Sequence, residues 1–262
     1  MAYRITQIVD NLVWQPGIVA PQPGLSTILR ELFTAQRPYF NDIIKLDEPS
    51  PRDALTLSQW SRPATLTSLM ASYSDHIYRN QPTLSRENKP LKSLWAQWYI
   101  GLMVPPVLLA LLTQSQALDV APEHFHVEFH ETGRAACFWI DVHEDRDATP
   151  LTPRERVEKL VTDGIAPVIA ALEASGDING KLIWSNTGYL INWFLGEMKA
   201  VIGDETADAL RHTCFFEKQL LNGDDNPLYR TVVLRDGLLV RRTCCQRYRL
   251  PDVVQCGDCT LK

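Results

Sequence analysis

Residues 94–112 read LWAQWYIGLMVPPVLLALL, nineteen positions without a charge. Length and composition alone make this stretch a membrane-span candidate. Two adjacent prolines, Pro105 and Pro106, stand in its middle, and proline breaks a helix interior. The expected reading is therefore two helices of a protein core, with the proline pair starting the second. Helical patterns flank and include it, at about 54–80 and about 89–117. A mostly helical protein with its own core follows, and the rest of the chain fits around it.

Upstream, residues 1–50 are broken into short elements by Pro16, Pro21, Pro23, Pro38 and Pro49. Downstream, residues 123–129 alternate apolar and polar, the mark of a strand. The turn-like Glu131-Thr132-Gly133-Arg134 leads to a returning strand at 135–142, which together predict a β-hairpin. Thr152, Pro153 and Glu155 form a helix start, with a capping residue, a first-turn proline and the third-position acid of a capping box. Helices are expected from there to about 175, interrupted near 164–167, and again at about 182–200 and 204–214. A loop at Asn222–Pro227 precedes a second hairpin, 231–234 and 238–242, turning at Arg235-Asp236-Gly237. The fold class is α+β: a mostly helical domain with antiparallel β-hairpins, and a short cysteine-rich C-terminal segment. Residues 1–229 are read as the main domain and 230–262 as that segment.

The chain has 262 residues and a net charge of −5, which argues against a nucleic-acid partner. The charge is uneven. From 230 to 262 there are seven basic residues and three acids, so this tail is +4 and the remainder −9. The N-terminal MAYRITQIVDNLVWQPG lacks a basic start followed by an apolar run, so a cytoplasmic, reducing location is expected. There, cysteines bind metals more often than they form disulfides.

Four of the six cysteines lie in the basic tail: Cys244, Cys245, Cys256 and Cys259. Cys137 and Cys214 stand apart and read as small buried hydrophobes. The tail pattern, an adjacent pair followed by C-x-x-C, admits structural zinc, a [2Fe–2S] cluster or disulfides. Neighbouring side chains of an extended chain point to opposite faces. Two adjacent thiolates therefore meet a two-iron cluster more easily than a single ion, which favours iron–sulfur over zinc without closing the question. Arg241, Arg242, Arg247 and Arg249 flank the pattern and would offset its negative charge. Gly257 inside C-x-x-C lets the backbone approach the sulfurs.

Arg241-Arg242-Thr243-Cys244-Cys245, then Tyr248-Arg249-Leu250-Pro251, then Cys256-Gly257-Asp258-Cys259 resembles the C-terminal signature of the FhuF family of ferric-siderophore reductases. Leu182-Ile183-Trp184-Ser185-Asn186 resembles the family's W-x-N element, and Asn226-Pro227-Leu228 also fits. The likeness spans about residues 70–262. It implies a [2Fe–2S] cluster ligated by Cys244, Cys245, Cys256 and Cys259. It also implies a main domain similar to the C-terminal part of aerobactin-type siderophore synthetases, and ferric hydroxamate siderophores as substrates. A protein electron donor and a possible contact with the inner membrane face complete that picture. No Gly-rich phosphate loop or dinucleotide fingerprint occurs, so neither nucleotide chemistry nor bound flavin or nicotinamide is expected.

Candidate substrate contacts are Trp184, Asn186, Arg241 and Arg242. A core Trp and a helix-capping Asn are the plainer reading of the first two. His124, His126 and His130, with Glu128, share one strand face. They read as a solvated sheet face, with a metal-binding H-x-H role as the alternative. Two other functions fit the composition: a zinc-stabilised siderophore-binding protein without redox activity, and an iron–sulfur sensor or partner-binding module.

Overall fold

The computed structural model describes residues 23–256 and 259–261. The expectations for Pro16, Pro21 and Gly257 lie outside the described residues. The chain opens with helices α1 (Leu25–Gln36) and α2 (Phe40–Ile43), strand β1 (Ile44–Leu46), and helices α3 (Leu57–Trp60) and α4 (Pro63–Ile77). Helix α5 (Asn88–Thr113) follows, then the hairpin strands β2 (Phe125–Phe129) and β3 (Ala135–Ile140). Helices α6 (Pro153–Lys159), α7 (Ala166–Ala174), α8 (Gly180–Glu197), α9 (Lys199–Ile202) and α10 (Asp204–Phe216) come next. The second hairpin, β4 (Val232–Arg235) and β5 (Leu238–Arg241), ends at the cysteine tail. The class is α+β, as expected.

The apolar stretch 94–112 forms part of one continuous helix, α5, with Pro105 and Pro106 inside it. The expectation of two helices is corrected. Each proline costs the helix one backbone hydrogen bond and crowds the preceding turn. Burial outweighs this loss: Trp95, Tyr99, Val104, Leu108 and both prolines are packed inside the protein. The helix is long and apolar enough to cross a membrane, but 67% of its apolar window is buried within the protein itself. It serves as the axis of the core. Trp60, Trp95, Tyr99 and Phe138 cluster along its first half, with ring centroids 5.1–5.8 Å apart.

Around this axis the hairpin β2–β3 gains a third strand. β1 pairs in parallel with β3, Ile44 opposite Phe138 and Leu46 opposite Ile140, giving the order β1-β3-β2. The sequence pattern of residues 1–50 gave only short elements, because a three-residue strand leaves too little alternation to read. Gly133 in the β2–β3 turn has a φ of 78°, and an added Cβ would meet Leu69 O at 2.2 Å. Its own carbonyl accepts a 2.8 Å bond from Trp95 Nε1, so the turn is pinned to the core helix.

The capping box at α6 forms: Thr152 Oγ1 accepts from the Glu155 N–H, and Glu155 Oε2 accepts from the Thr152 N–H at 2.8 Å. The interruption expected near 164–167 is a wider π-helical turn, Leu160–Ile165, which joins α6 to α7. Such turns absorb an extra residue within a helix. Helix α8 starts where Asn179 Oδ1 accepts from the Leu182 N–H at 3.1 Å. Asn226, part of the family-like Asn-Pro-Leu, closes α10. Its Nδ2 donates to the carbonyls of Thr213, Cys214 and Glu217 at 2.9–3.2 Å. These are orphan acceptors of a helix end.

Helix α8 and the second hairpin meet at Gly188. A Cβ there would lie 2.0 Å from Thr231 Oγ1 and 2.7 Å from its Cβ. Only a glycine permits this approach, which sets the hairpin, and hence the tail, against α8. Gly188→Ala is expected to cost about 1–3 kcal/mol of stability through overpacking, read as a lowered midpoint in denaturant unfolding. An unchanged midpoint would show that the hairpin is not held at this contact.

Candidate metal centre

The tail is folded by anchors on either side of the cysteines. Val232 and Leu250 are buried in the main core, so the tail is continuous with it. After Cys244-Cys245, Gln246 adopts φ 65°, and a short 3₁₀ turn, Arg247–Arg249, follows. Asp252, at φ 57°, accepts bonds from Asn80 Nδ2 at 3.0 Å and Gln81 Nε2 at 3.3 Å. Arg249 pairs with Glu87. These contacts reverse the chain and bring Cys256 and Cys259 back toward the adjacent pair.

All six cysteines are free thiols. Cys259 lies within hydrogen-bond reach of both Cys244 and Cys256. Cys245 is close enough to Cys244 and Cys256 to act on both electrostatically. Among the described residues no three such side chains are already drawn into a metal-binding group.

Each of three sulfurs accepts a hydrogen bond from an N–H donor. Arg241 Nη2 donates to Cys256 Sγ at 3.2 Å, the Gln246 backbone N–H to Cys244 Sγ at 3.3 Å, and Gln255 Nε2 to Cys259 Sγ at 3.1 Å. Hydrogen bonds from Leu261 N–H and Gln255 hold the Cys259 thiol below its ordinary pKa. Burial pushes Cys244 and Cys256 up. Away from the tail, burial drives Cys137 up to about 11 and Cys214 up to about 12, which keeps both as inert thiols. Soft sulfur donors with N–H groups aimed at them fit an iron–sulfur cluster, whose sulfurs accept such bonds.

Behind the sulfurs runs a buried polar relay. Arg241 is only 4% exposed and reaches Asn186 Oδ1 with Nη1 at 3.2 Å. Asn186 Nδ2 donates to Ser93 Oγ at 3.0 Å, and Ser93 Oγ donates to the Cys245 carbonyl at 2.9 Å. Ser93 is fully buried and Asn186 is 6% exposed. Arg241 also lies over the Tyr189 ring, 5.2 Å from its centroid. The relay joins α5, α8 and β5 to the two halves of the cysteine pattern. Hydrogen bonds within such a buried network reinforce one another.

Of the four candidate substrate contacts, Asn186 and Arg241 come together here. Asn186 sits within α8 and caps nothing. Trp184 is half-buried and packed against the core, and Arg242 is exposed, its backbone N–H bonded to Thr231 O at 2.9 Å. Ser93, Gln246 and Gln255 were missed by sequence reasoning. Ser93 carries a usable signal, a small polar residue on the buried face of an otherwise apolar helix. The two glutamines carry none, since one acts through its backbone.

The histidine row has separate partners. His126 Nε2 lies 3.2 Å from Asp141 Oδ2, His124 Nε2 3.4 Å from Asp119 Oδ2, and His130 Nδ1 2.9 Å from Thr132 Oγ1. Glu128 accepts from Trp139 Nε1 at 2.9 Å. The imidazoles are distributed rather than convergent.

Known proteins resemble this chain along its length. The family described as ferric iron reductase FhuF-like transporter matches residues 93–239, and the FhuF 2Fe-2S C-terminal domain matches residues 241–261. The ferric siderophore reductase of Escherichia coli (strain K12) is 64% identical over 262 residues, covering 100% of both chains.

Ligand assignment can be read by colour. Replacing Cys244, Cys245, Cys256 or Cys259 singly by serine is expected to abolish or strongly reshape the visible absorption of anaerobically purified protein. Cys137→Ser and Cys214→Ser should leave that absorption intact. A tail variant with an unaltered spectrum would remove that cysteine from the ligand set.

Proposed function

We infer that this chain, which belongs to the FhuF family, is a ferric siderophore reductase: an enzyme that carries a [2Fe–2S] cluster and reduces siderophore-bound ferric iron. What supports the site assignment is that Cys259 lies within reach of Cys244 and Cys256, and that three of the four tail sulfurs receive N–H donors. On that footing Cys244, Cys245, Cys256 and Cys259 hold the cluster, residues 1–229 form the main domain, and residues 230–262 form the cluster-bearing segment that follows it. When bound, the cluster supplies one electron at a time.

The finer reading is that the substrates are hydroxamate siderophores. Hydroxamate oxygens are hard, charged donors that grip ferric iron far better than ferrous. One added electron therefore loosens the complex and lets iron leave. The chain's own residues prepare for this. Arg241 brings positive charge to the sulfurs, and its N–H with those of Gln246 and Gln255 stabilises extra negative charge there. Asn186 and Ser93 hold Arg241 in place, so its charge needs no rearrangement when an electron arrives. The work belongs in the cytoplasm, with a separate protein as electron donor and a possible peripheral contact at the inner membrane face.

Two outcomes test this. Anaerobic, pre-reduced protein mixed with a ferric trihydroxamate should return to its oxidised spectrum, while a chelator traps ferrous iron. Persistence of the reduced spectrum would contradict the reductase assignment. Arg241→Gln should lower the reduction potential by about 60 mV, the one-electron equivalent of a tenfold change in equilibrium. Arg241→Lys, which keeps the charge, should shift it less. Equal potentials in voltammetry of all three proteins would deny Arg241 this role.

A further inference from the structure

Beside Cys256 the protein opens a cavity of about 240 Å³ whose wall includes Ile183, Tyr189, Trp193, Arg241 and Arg247. Tyr189 and Trp193 stand one turn apart on the same face of α8. Trp193 is 47% exposed. Arg247 makes no ion pair or side-chain hydrogen bond among the described residues. The cavity thus joins a tail sulfur, two arginine side chains and an exposed indole.

We propose that this cavity is the substrate seat, taking one edge of a ferric trihydroxamate with hydroxamate oxygens toward Arg247 and Arg241 and an apolar spacer against Trp193. The proposal rests on the reductase reading and adds the site to it. Size sets the mode of binding. Sites that enclose drug-sized ligands measure about 300–1,000 Å³, so this smaller one receives part of the complex and leaves the rest in water. Transfer of an electron needs closeness to the sulfurs rather than enclosure, and Cys256 forms part of the wall.

Charge explains the arginines. Ferric iron with three hydroxamate monoanions is neutral. A [2Fe–2S] cluster held by Cys244, Cys245, Cys256 and Cys259 would supply one electron and be oxidised in turn; the substrate iron would become ferrous and its complex singly negative, with no bond formed and no proton moved. Arg247 faces the place where this charge appears and so favours the product of electron transfer over the bound reactant. Trp193 contacts parts of the ligand that do not change. Trp193 therefore acts on KM alone, whereas Arg247 acts on KM through the hydroxamate oxygens and on kcat through the charge that develops.

The test uses the cluster-loaded protein and the gallium(III) complex of a cyclic trihydroxamate chelator without other charged groups, which is neutral like the ferric complex but accepts no electron. Calorimetric titration should show binding to the unmodified protein. Trp193→Ala and Arg247→Gln should each weaken it about tenfold, and Arg247→Lys should recover part of the loss. Leu221→Ala, exposed and outside the cavity wall, should bind as the unmodified protein does. With the ferric complex in turnover, Trp193→Ala should raise KM with kcat preserved, and Arg247→Gln should lower kcat at an unchanged visible spectrum. Binding of the gallium complex by both cavity variants as tightly as by the unmodified protein would overturn the proposal, as would its failure to bind the unmodified protein at all. In either case, continued reoxidation of the reduced protein by the ferric complex would leave the reductase reading standing. Loss of that reoxidation in the unmodified protein would instead remove the reading itself.

Discussion

A guanidinium taken almost wholly out of water must be paired, and in this protein the pairing of Arg241 determines where everything else sits. Its two terminal nitrogens face a sulfur of the tail and an amide of α8. Burying an unpaired charge costs several kcal/mol, so Arg241 is stable there only if Asn186 and Cys256 occupy their places. Asn186 is in turn committed to Ser93, and Ser93 to the Cys245 carbonyl. The relay thereby fixes the adjacent cysteine pair against α5 and the C-x-x-C half against β5. A site assembled this way is rigid at its back and open at its front, where the cavity lies.

The fold supplies the support for that relay. Helix α5 contributes Ser93 from its first turns and then runs on through the core past two prolines. Gly188 lets α8 touch the start of the second hairpin, and β5 carries Arg241 to the spot where Asn186 meets it. The exposed end of the tail is thus held by the same core that buries the aromatic cluster around Trp95. Electron transfer benefits from this arrangement, because donors fixed in advance need not reorganise as charge arrives.

Much of this was legible in the residues. The tail cysteines stand out by spacing alone, and the capping box at Thr152 and both hairpins follow from local chemistry. Other features were not. The prolines of α5 mark a break by local rule, and only tertiary burial keeps the helix whole. Strand β1 is too short to show alternation and exists because β3 offers it an edge. Asn186 looked like a cap or a substrate contact, yet its partners are Ser93 and Arg241, about ninety residues before it and about fifty-five after. Contacts across such separations leave no periodic trace in one sequence. The cavity beside Cys256 was hidden for the same reason, since its wall draws on α5, α8, β5 and the tail at once.

The account stands or falls on the nature of the metal at the tail sulfurs. Iron and acid-labile sulfide, counted per chain in protein purified without oxygen, test this most directly. Two of each, lost together when the tail cysteines are removed, is the predicted result. Stoichiometric zinc with no sulfide would contradict it.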